Sequence, residues 1–282
     1  MTRTQFFTTA LGLPLSLFAQ APTSRLKATF RDPARPGTVR LSLLQGDMIV
    51  KAHKGSDVIV ELTAEPSRTR ASRRRQSDER DRPDKDAEGL RRIFTPSSGL
   101  TIEEENNVMQ ISYTRSRRGA AVTVLVPAKA SLKLHSVQGD IDVDSVQGEI
   151  EANATQGDVR LLNVGAGGVV AHALHGELKA VLTQVNASRP LSFSSLHGKV
   201  DLTLPTATKA NLAVHSQRGE IFLDFDVEMV EAPVRVEEKK REENGGKYRV
   251  SASQNVTGKL NGGGQEIRLK NLYGNIYLRK GK

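Results

Sequence analysis

Apolar residues recur in register along the middle of the chain. Two positions after Gly139, Gly157, Gly176, Gly198 and Gly219 stand Ile141, Val159, Leu178, Val200 and Ile221. Four positions after the same glycines stand Val143, Leu161, Ala180, Leu202 and Leu223, and five before stand Leu134, Ala152, Ala171, Phe193 and Val214. Between the two following apolar positions lie Asp142, Arg160, Lys179, Asp201 and Phe222, charged in all but the last. Apolar and polar residues that alternate in this way mark a half-buried strand. The glycine ahead of each strand supplies a turn that needs positive φ or a close backbone approach. The glycines are roughly 18 to 22 residues apart, which predicts a repetitive architecture.

Three positions before the glycines are Ser136, Ala154, Ala173, Ser195 and Ser216, all small and suited to a tight corner. A second series of turn residues lies half a repeat away: Gly148, Gly167 with Gly168, Asn186–Pro190, and Pro205. Two strands per coil follow, each paired in parallel with its equivalent one coil away at about 4.8 Å. The expected fold class is therefore all-β, a parallel β-solenoid with about two strands per coil of roughly 18–22 residues. Gln45–Val50 and Tyr273–Leu278 repeat the turn near the two ends. Strand patterns also run through Val58–Leu62, Leu100–Glu104, Val108–Thr114 and Ala121–Val126, so residues 23–282 are read as a single solenoid domain. Exposed end strands invite aggregation unless covered. The N-terminal strands and Lys247–Leu278 are the candidates to cover them.

Composition agrees. Of 282 residues, 37% are hydrophobic and 4% aromatic, with no Trp, so the core must come from Val, Ile, Leu and Ala. A coil that needs only a few aliphatic residues tolerates this. The net charge of +9 raises nucleic-acid binding. Much of the Arg, however, is concentrated in Arg68–Arg92 among interleaved Asp and Glu, and rings for base stacking are scarce. No nucleic acid is expected as a partner. Pro66–Gly89 cannot bury enough surface to order itself, which predicts a disordered charged loop at 66–89. A flexible polar excursion is expected at 237–246. At the N-terminus, Arg3, the apolar stretch Phe6–Phe18, and Ala19 and Ala21 read as a secretory signal peptide. Residues 1–19 are its preferred extent, with cleavage between Ala19 and Ala21. That predicts export to the periplasm, the cell surface or the medium. The absence of Cys rules out disulfides and a lipid-modified N-terminal Cys. No later apolar run is long enough to cross a membrane as a helix, so no transmembrane segment is expected in the mature chain.

The candidate chemistry is sparse. His135, His172 and His215 share one column of the repeat. At about two coils apart, roughly 9.6 Å, they are too distant for nitrogens that must lie about 2 Å from one zinc ion. His175 and His197 fall in adjacent coils, in a column with Gln138, Gln156 and Arg218, and read as a stacked polar edge. Asp140, Asp142 and Asp144 superficially match a calcium loop, but Ser145 stands where its glycine belongs. Asp140, Asp142, Asp158 and Asp201 share a face, as a polysaccharide-cleaving enzyme would require. Arg160 and Lys179 are interleaved with them, and such alternation balances charge between stacked strands. No catalytic residue, metal or cofactor is assigned.

The recurring turns in Gln138–Val143 and Gln147–Ala152, with the closing stretch Thr257–Leu269 to Asn275–Leu278, resemble the bacterial putative-adhesin family of exported β-strand-repeat proteins. The resemblance covers roughly Leu41 to Lys280 apart from the charged loop, and it implies an exported β-solenoid of unknown function. Fold does not fix function. The reading is a non-enzymatic scaffold that presents a charged sheet face to envelope polysaccharide or an envelope protein. Asp140, Asp142, Arg160, Lys179, Lys199 and Asp201 line that face. One alternative is an envelope sensing or assembly accessory acting through the charged loop. The other is a polysaccharide-acting enzyme. Oligomeric state is not read from the sequence.

Overall fold

The computed structural model describes residues 24–64, 99–113, 120–165, 167–186, 188–230 and 254–281. The signal peptide at 1–19, the charged loop at 66–89 and the polar excursion at 237–246 lie outside them. In chain order the strands begin with β1 (Ser24–Thr29), β2 (Thr38–Gln45), β3 (Asp47–His53), β4 (Asp57–Ala64), β5 (Leu100–Glu105), β6 (Val108–Tyr113) and β7 (Ala120–Pro127). They continue with β8 (Ser131–Gln138), β9 (Ile141–Asp144), β10 (Ile150–Gln156), β11 (Val159–Val164), β12 (Val169–His175), β13 (Leu178–Leu182), β14 (Leu191–His197) and β15 (Val200–Leu204). The last are β16 (Ala210–Ser216), β17 (Ile221–Leu223), β18 (Val227–Met229), β19 (Gln254–Leu260), β20 (Gln265–Tyr273) and β21 (Ile276–Lys280).

These strands form two sheets. Sheet A has ten strands in the order β1-β4-β7-β3-β9-β11-β13-β15-β21-β17. Sheet B has eleven, in the order β18-β19-β16-β20-β14-β12-β10-β8-β2-β6-β5. Each coil runs along one strand of sheet B, turns at a glycine, and returns along one strand of sheet A. The interior pairings are parallel and in register, as in Ile141↔Val159, Val159↔Leu178 and Leu178↔Val200. Those four side chains are fully buried, as are Leu161, Ala180 and Leu202 in the next column. On sheet B the facing column is Leu134, Ala152, Ala171 and Phe193, also buried. Burying one such aliphatic side chain is worth about 1.5–3 kcal/mol, so the stacked columns are the source of the fold's stability.

The turn glycines form a ladder of their own. Beside each one, a Cβ would fall inside van der Waals contact of the preceding rung's carbonyl oxygen, in the spatial order Gly46, Gly139, Gly157, Gly176, Gly198, Gly274, Gly219. The backbone ladder continues through the corner, with Gly139 N donating to Gln156 O at 2.9 Å and Gly157 N to His175 O at 3.0 Å. The small column three residues earlier is buried, and its hydroxyls satisfy the same corner. Ser136 Oγ donates to Gly139 O at 3.0 Å, and Ser195 Oγ to Gly176 O at 3.1 Å.

Spatial order departs from chain order at both ends, which corrects two expectations. Ile221 does not stack on Val200. The last coil, β20–β21, inserts between them, so Val200 pairs with Ile276 and Ile276 with Ile221. Of the Lys247–Leu278 stretch, β19 covers an end of sheet B, but β20 and most of β21 are interior strands. Symmetrically, β2–β3 lies between β6–β7 and β8–β9. The reason is local. β2–β3 and β20–β21 have long strands joined by a single turn residue or two, Gly46 and Gly274-Asn275, and can match a neighbour on either side. In contrast, β6 and β7 are joined by a longer link, and β17 has only 3 residues. Those coils occupy positions where less has to match. Antiparallel strands then cover one end of sheet A, β1 and β4, and both ends of sheet B, β5 at one and β19 and β18 at the other, while the second end of sheet A is the short parallel strand β17. Such coverage is the usual protection against edge-to-edge aggregation.

The ladder predicts a contrast between two glycines. Gly157 has φ +143° and is pressed against the Gly139 carbonyl, whereas Gly262 has φ +84° and open space around it. Gly157→Ala should cost about 3 kcal/mol from clash and strain together, and Gly262→Ala only about 1 kcal/mol from strain. Urea unfolding of the two variants checks this. Equal losses would mean that the close approach contributes nothing.

Candidate functional site

The residue after each turn glycine faces outward from sheet A and carries a short polar side chain in most coils. Asp47 Oδ1 accepts the backbone N–H of Asp140 at 2.9 Å, Asp140 Oδ1 accepts that of Asp158 at 2.9 Å, and Asp158 Oδ1 accepts that of Glu177 at 2.8 Å. Asn275 Oδ1 does the same for Glu220 at 3.0 Å. The recurrent Gly-Asp pair therefore has a structural basis. The glycine lets two coils approach, and the aspartate binds the amide this brings within reach.

Two positions further on, the outward column reads Ile49, Asp142, Arg160, Lys179, Asp201, Tyr277, Phe222. The six residues singled out from the sequence thus share one surface. Asp142, Arg160, Lys179 and Asp201 follow one another in register, and Asp140 and Lys199 belong to the neighbouring column. The structure also brings in Glu177, Arg279 and Tyr277, which sequence spacing missed. Arg160 reaches Asp140 Oδ2 at 2.9 Å and Asp142 Oδ1 at 3.3 Å through Nη1, and Asp158 Oδ2 at 2.6 Å through Nη2. Lys199 pairs with Glu177 at 2.8 Å, and Asp201 with Arg279 at 2.9 Å. Arg279 lies over the Tyr277 ring at 5.2 Å, and that ring stacks on Phe222 at 5.0 Å. Phe222 is 45% exposed. Lys179 is exposed and has no ion-pair partner among the described residues.

The electrostatics of this cluster are uneven. Burial works against the charge on Arg160, but its hydrogen bonds to Asp140 and Asp142 and their charges raise its pKa well above the ordinary arginine value. Burial raises the Asp142 carboxyl above its usual value; Arg160 pulls it down, while the charges of Asp140 and Asp47 push it further up. One guanidinium divided among three carboxylates does not fully offset the burial of Asp142.

A second polar line runs along the turn edge, one residue before the glycines: Gln45, Gln138, Gln156, His175, His197, Tyr273. Gln45 Nε2 donates to Gln138 Oε1 at 2.9 Å, and Gln138 Nε2 to Gln156 Oε1 at 3.1 Å. The rings of His175 and His197 stack at 4.8 Å, those of His197 and Tyr273 at 4.7 Å, and Arg218 lies over Tyr273 at 5.1 Å. The stacked polar edge expected from the sequence is present. The other histidine column is spaced differently. Ser194 and Lys270 stand between His172 and His215, which places these two histidines three strands apart, roughly 14 Å by strand spacing.

Asp142 supplies a pH test. Its folded pKa is raised, so the folded protein holds the proton more tightly than the unfolded chain. The stability this gives is full below the usual carboxylate range and is lost as pH rises through the folded value. Asp142→Asn keeps an acceptor oxygen and removes the loss. With the side chain 39% exposed, solvent screening limits the effect. The variant should match or exceed the parent by up to about 0.5 kcal/mol at pH 7, and the difference should vanish near pH 3. Urea unfolding across that range measures it, and a loss above about 1 kcal/mol at pH 7 contradicts the assignment.

The sequence profile described as Toastrack DUF4097 matches residues 97–261, a narrower span than Leu41–Lys280. No curated protein matches the chain. Among solved structures, it is similar to a putative cell adhesion protein from Clostridium sporogenes, with 10% identity, a TM-score of 0.36, and coverage of 92% of this chain and 100% of that one. A putative adhesin from Bacteroides fragilis gives 8%, 0.37, and 91% and 97% coverage. One from Parabacteroides distasonis gives 7%, 0.24, and 92% and 97%.

Proposed function

The chain belongs to the Toastrack DUF4097 family, and from that premise we propose that it is a non-enzymatic, exported binding scaffold that presents the outer face of sheet A to an envelope polymer or envelope protein. The observation that carries the reading is the registered outward column Asp142, Arg160, Lys179, Asp201, Tyr277, Phe222 on parallel strands. It offers charge, a stacked aromatic pair and, in Lys179, a cation without an ion-pair partner among the described residues, on a repeating surface of the kind that meets an extended partner by repeated weak contacts.

The carboxylates support a binding role over catalysis. Asp140, Asp142 and Asp158 share Arg160, and Asp201 is held by Arg279. Side chains so engaged hold neighbouring strands together, whereas a glycosidase needs one carboxyl as proton donor and another free to act on the sugar. The N-terminal apolar stretch Phe6–Phe18 supports export.

Lys179 and Lys199 can be changed without breaking the Arg160 cluster. A Lys179→Glu/Lys199→Glu variant should fold normally by circular dichroism. It should also lose at least about tenfold in retention on immobilised envelope polysaccharide or outer-membrane protein, through lost charge complementarity. Retention equal to the parent on every surface that holds the parent would refute the proposed face.

A further inference from the structure

On the opposite side of the molecule, the outer surface of sheet B carries a groove that the sheet A reading does not use. We propose that it binds an acidic oligosaccharide.

The groove lies between two outward columns repeated in successive strands. Ala173 pairs with Ser195 and His175 with His197 in constant register, so Leu174 and Leu196 stand side by side at outward positions of their strands. Leu174, 42% exposed, and Leu196 and Leu272, both partly exposed, form an apolar ridge along the stack. Parallel to it runs the outward column His172, Ser194, Lys270, His215. Between ridge and column, Ala173 and Ser195 are buried, so no side chain rises from the floor there. The result is a half-open groove of about 730 Å³, within the roughly 300–1,000 Å³ usual for small-ligand sites.

Its chemistry selects an anion. No Asp or Glu is among the described residues that line it. Lys270 is exposed and has no ion-pair partner among the described residues. His172 Nδ1 is bonded to Ser194 Oγ, and His215 Nδ1 donates to Asn255 Oδ1. The Nε2 atoms of both rings have no hydrogen-bond partner among the described residues. The wall thus combines one fixed cation with imidazole, hydroxyl and amide groups.

The architecture favours a glycan over an acidic peptide. Peptides commonly bind sheets by adding a strand to a free edge. The strands under the groove, β12, β14, β20 and β16, are each bonded on both sides. Recognition must therefore come from side chains. An apolar ridge facing a row of polar groups about 4.8 Å apart suits a chain of sugar rings, each with an apolar face and a rim of hydroxyls. The acidic group on the sugar is a carboxylate or a phosphate.

Titration calorimetry on the full chain tests this with four probes: trigalacturonate, glucose 6-phosphate, neutral maltotriose and a hexaglutamate peptide. Trigalacturonate or glucose 6-phosphate should bind, and whichever is tighter identifies the acidic group. Maltotriose and hexaglutamate should bind at least about tenfold more weakly than that probe. Lys270→Glu should weaken the acidic sugar at least about tenfold, the loss of one charge-assisted contact, and His215→Ala should weaken it less. Lys270→Gln serves if the glutamate variant misfolds by circular dichroism. Lys179→Glu/Lys199→Glu should leave this binding intact, which separates the groove from the sheet A face. The proposal fails if neither acidic sugar binds, if binding ignores Lys270, or if maltotriose or hexaglutamate binds as tightly.

Discussion

The close stacking of the turn glycines is the constraint on which the rest of the structure depends. At each rung, the carbonyl oxygen of one glycine occupies the space that a side chain on the next would need. Only there can the chain turn from sheet B into sheet A while keeping its neighbours one strand spacing away. With the corner fixed, the columns follow. The residue two positions on must point inward and the residue three positions on outward, because side chains alternate along a strand. Ile141, Val159, Leu178 and Val200 pile into one buried column, and Asp142, Arg160, Lys179 and Asp201 into one exposed column. Core and candidate face are two consequences of one turn.

The same constraint explains the threading. A coil can lie between two others only if it offers a matching corner and full strands to both. The β2–β3 and β20–β21 coils do so, and each enters the stack one position inside the end. The weaker coils and the antiparallel strands are left outside, where they shield the sheets. The insertion of β21 also assembles part of the candidate face. It places Tyr277 and Arg279 beside Asp201, and Phe222 beside Tyr277. The two outer surfaces differ in consequence. Sheet A presents ion pairs that largely satisfy one another, whereas sheet B presents a groove with an unpaired lysine and no carboxylate among its described lining residues.

Much of this architecture was legible because the sequence repeats with a glycine as its marker. The apolar columns, the small corner column, the opposite turns and the polar ladder through His175 and His197 all follow from counting outward from those glycines. The family resemblance read from the same turns agrees with the profile match to residues 97–261. Counting could not show that chain order and spatial order diverge. The glycines at 198, 219 and 274 bear equivalent turns, and the turn motif by itself does not record which rests on which; the strand lengths around it do. That ambiguity misplaced Ile221 and the histidine at 215. Sequence spacing placed Asp140, Asp142 and Arg160 on the outward face, but did not show that Arg160 joins Asp140, Asp142 and Asp158 or which amide each aspartate binds. Those depend on side-chain geometry between coils. The sheet B groove was hidden for a similar reason. It needs the spatial order of β14, β20 and β16, which places Lys270 between Ser194 and His215.

The order of the coils is the point at which this account departs most from a simple reading of the repeat, and the absence of native cysteine makes it directly measurable. Cysteine pairs at 201 with 277 and at 201 with 222 distinguish the two orders. The first pair sits on adjacent strands and the second is separated by β21. Adjacent positions lie within the roughly 4.4–6.8 Å between Cα atoms that a disulfide allows, and positions two strands apart do not. Under mild oxidation, the Asp201→Cys/Tyr277→Cys variant should cross-link in the folded protein and the Asp201→Cys/Phe222→Cys variant should not. Efficient cross-linking of the second pair without the first would contradict the stacking order described here.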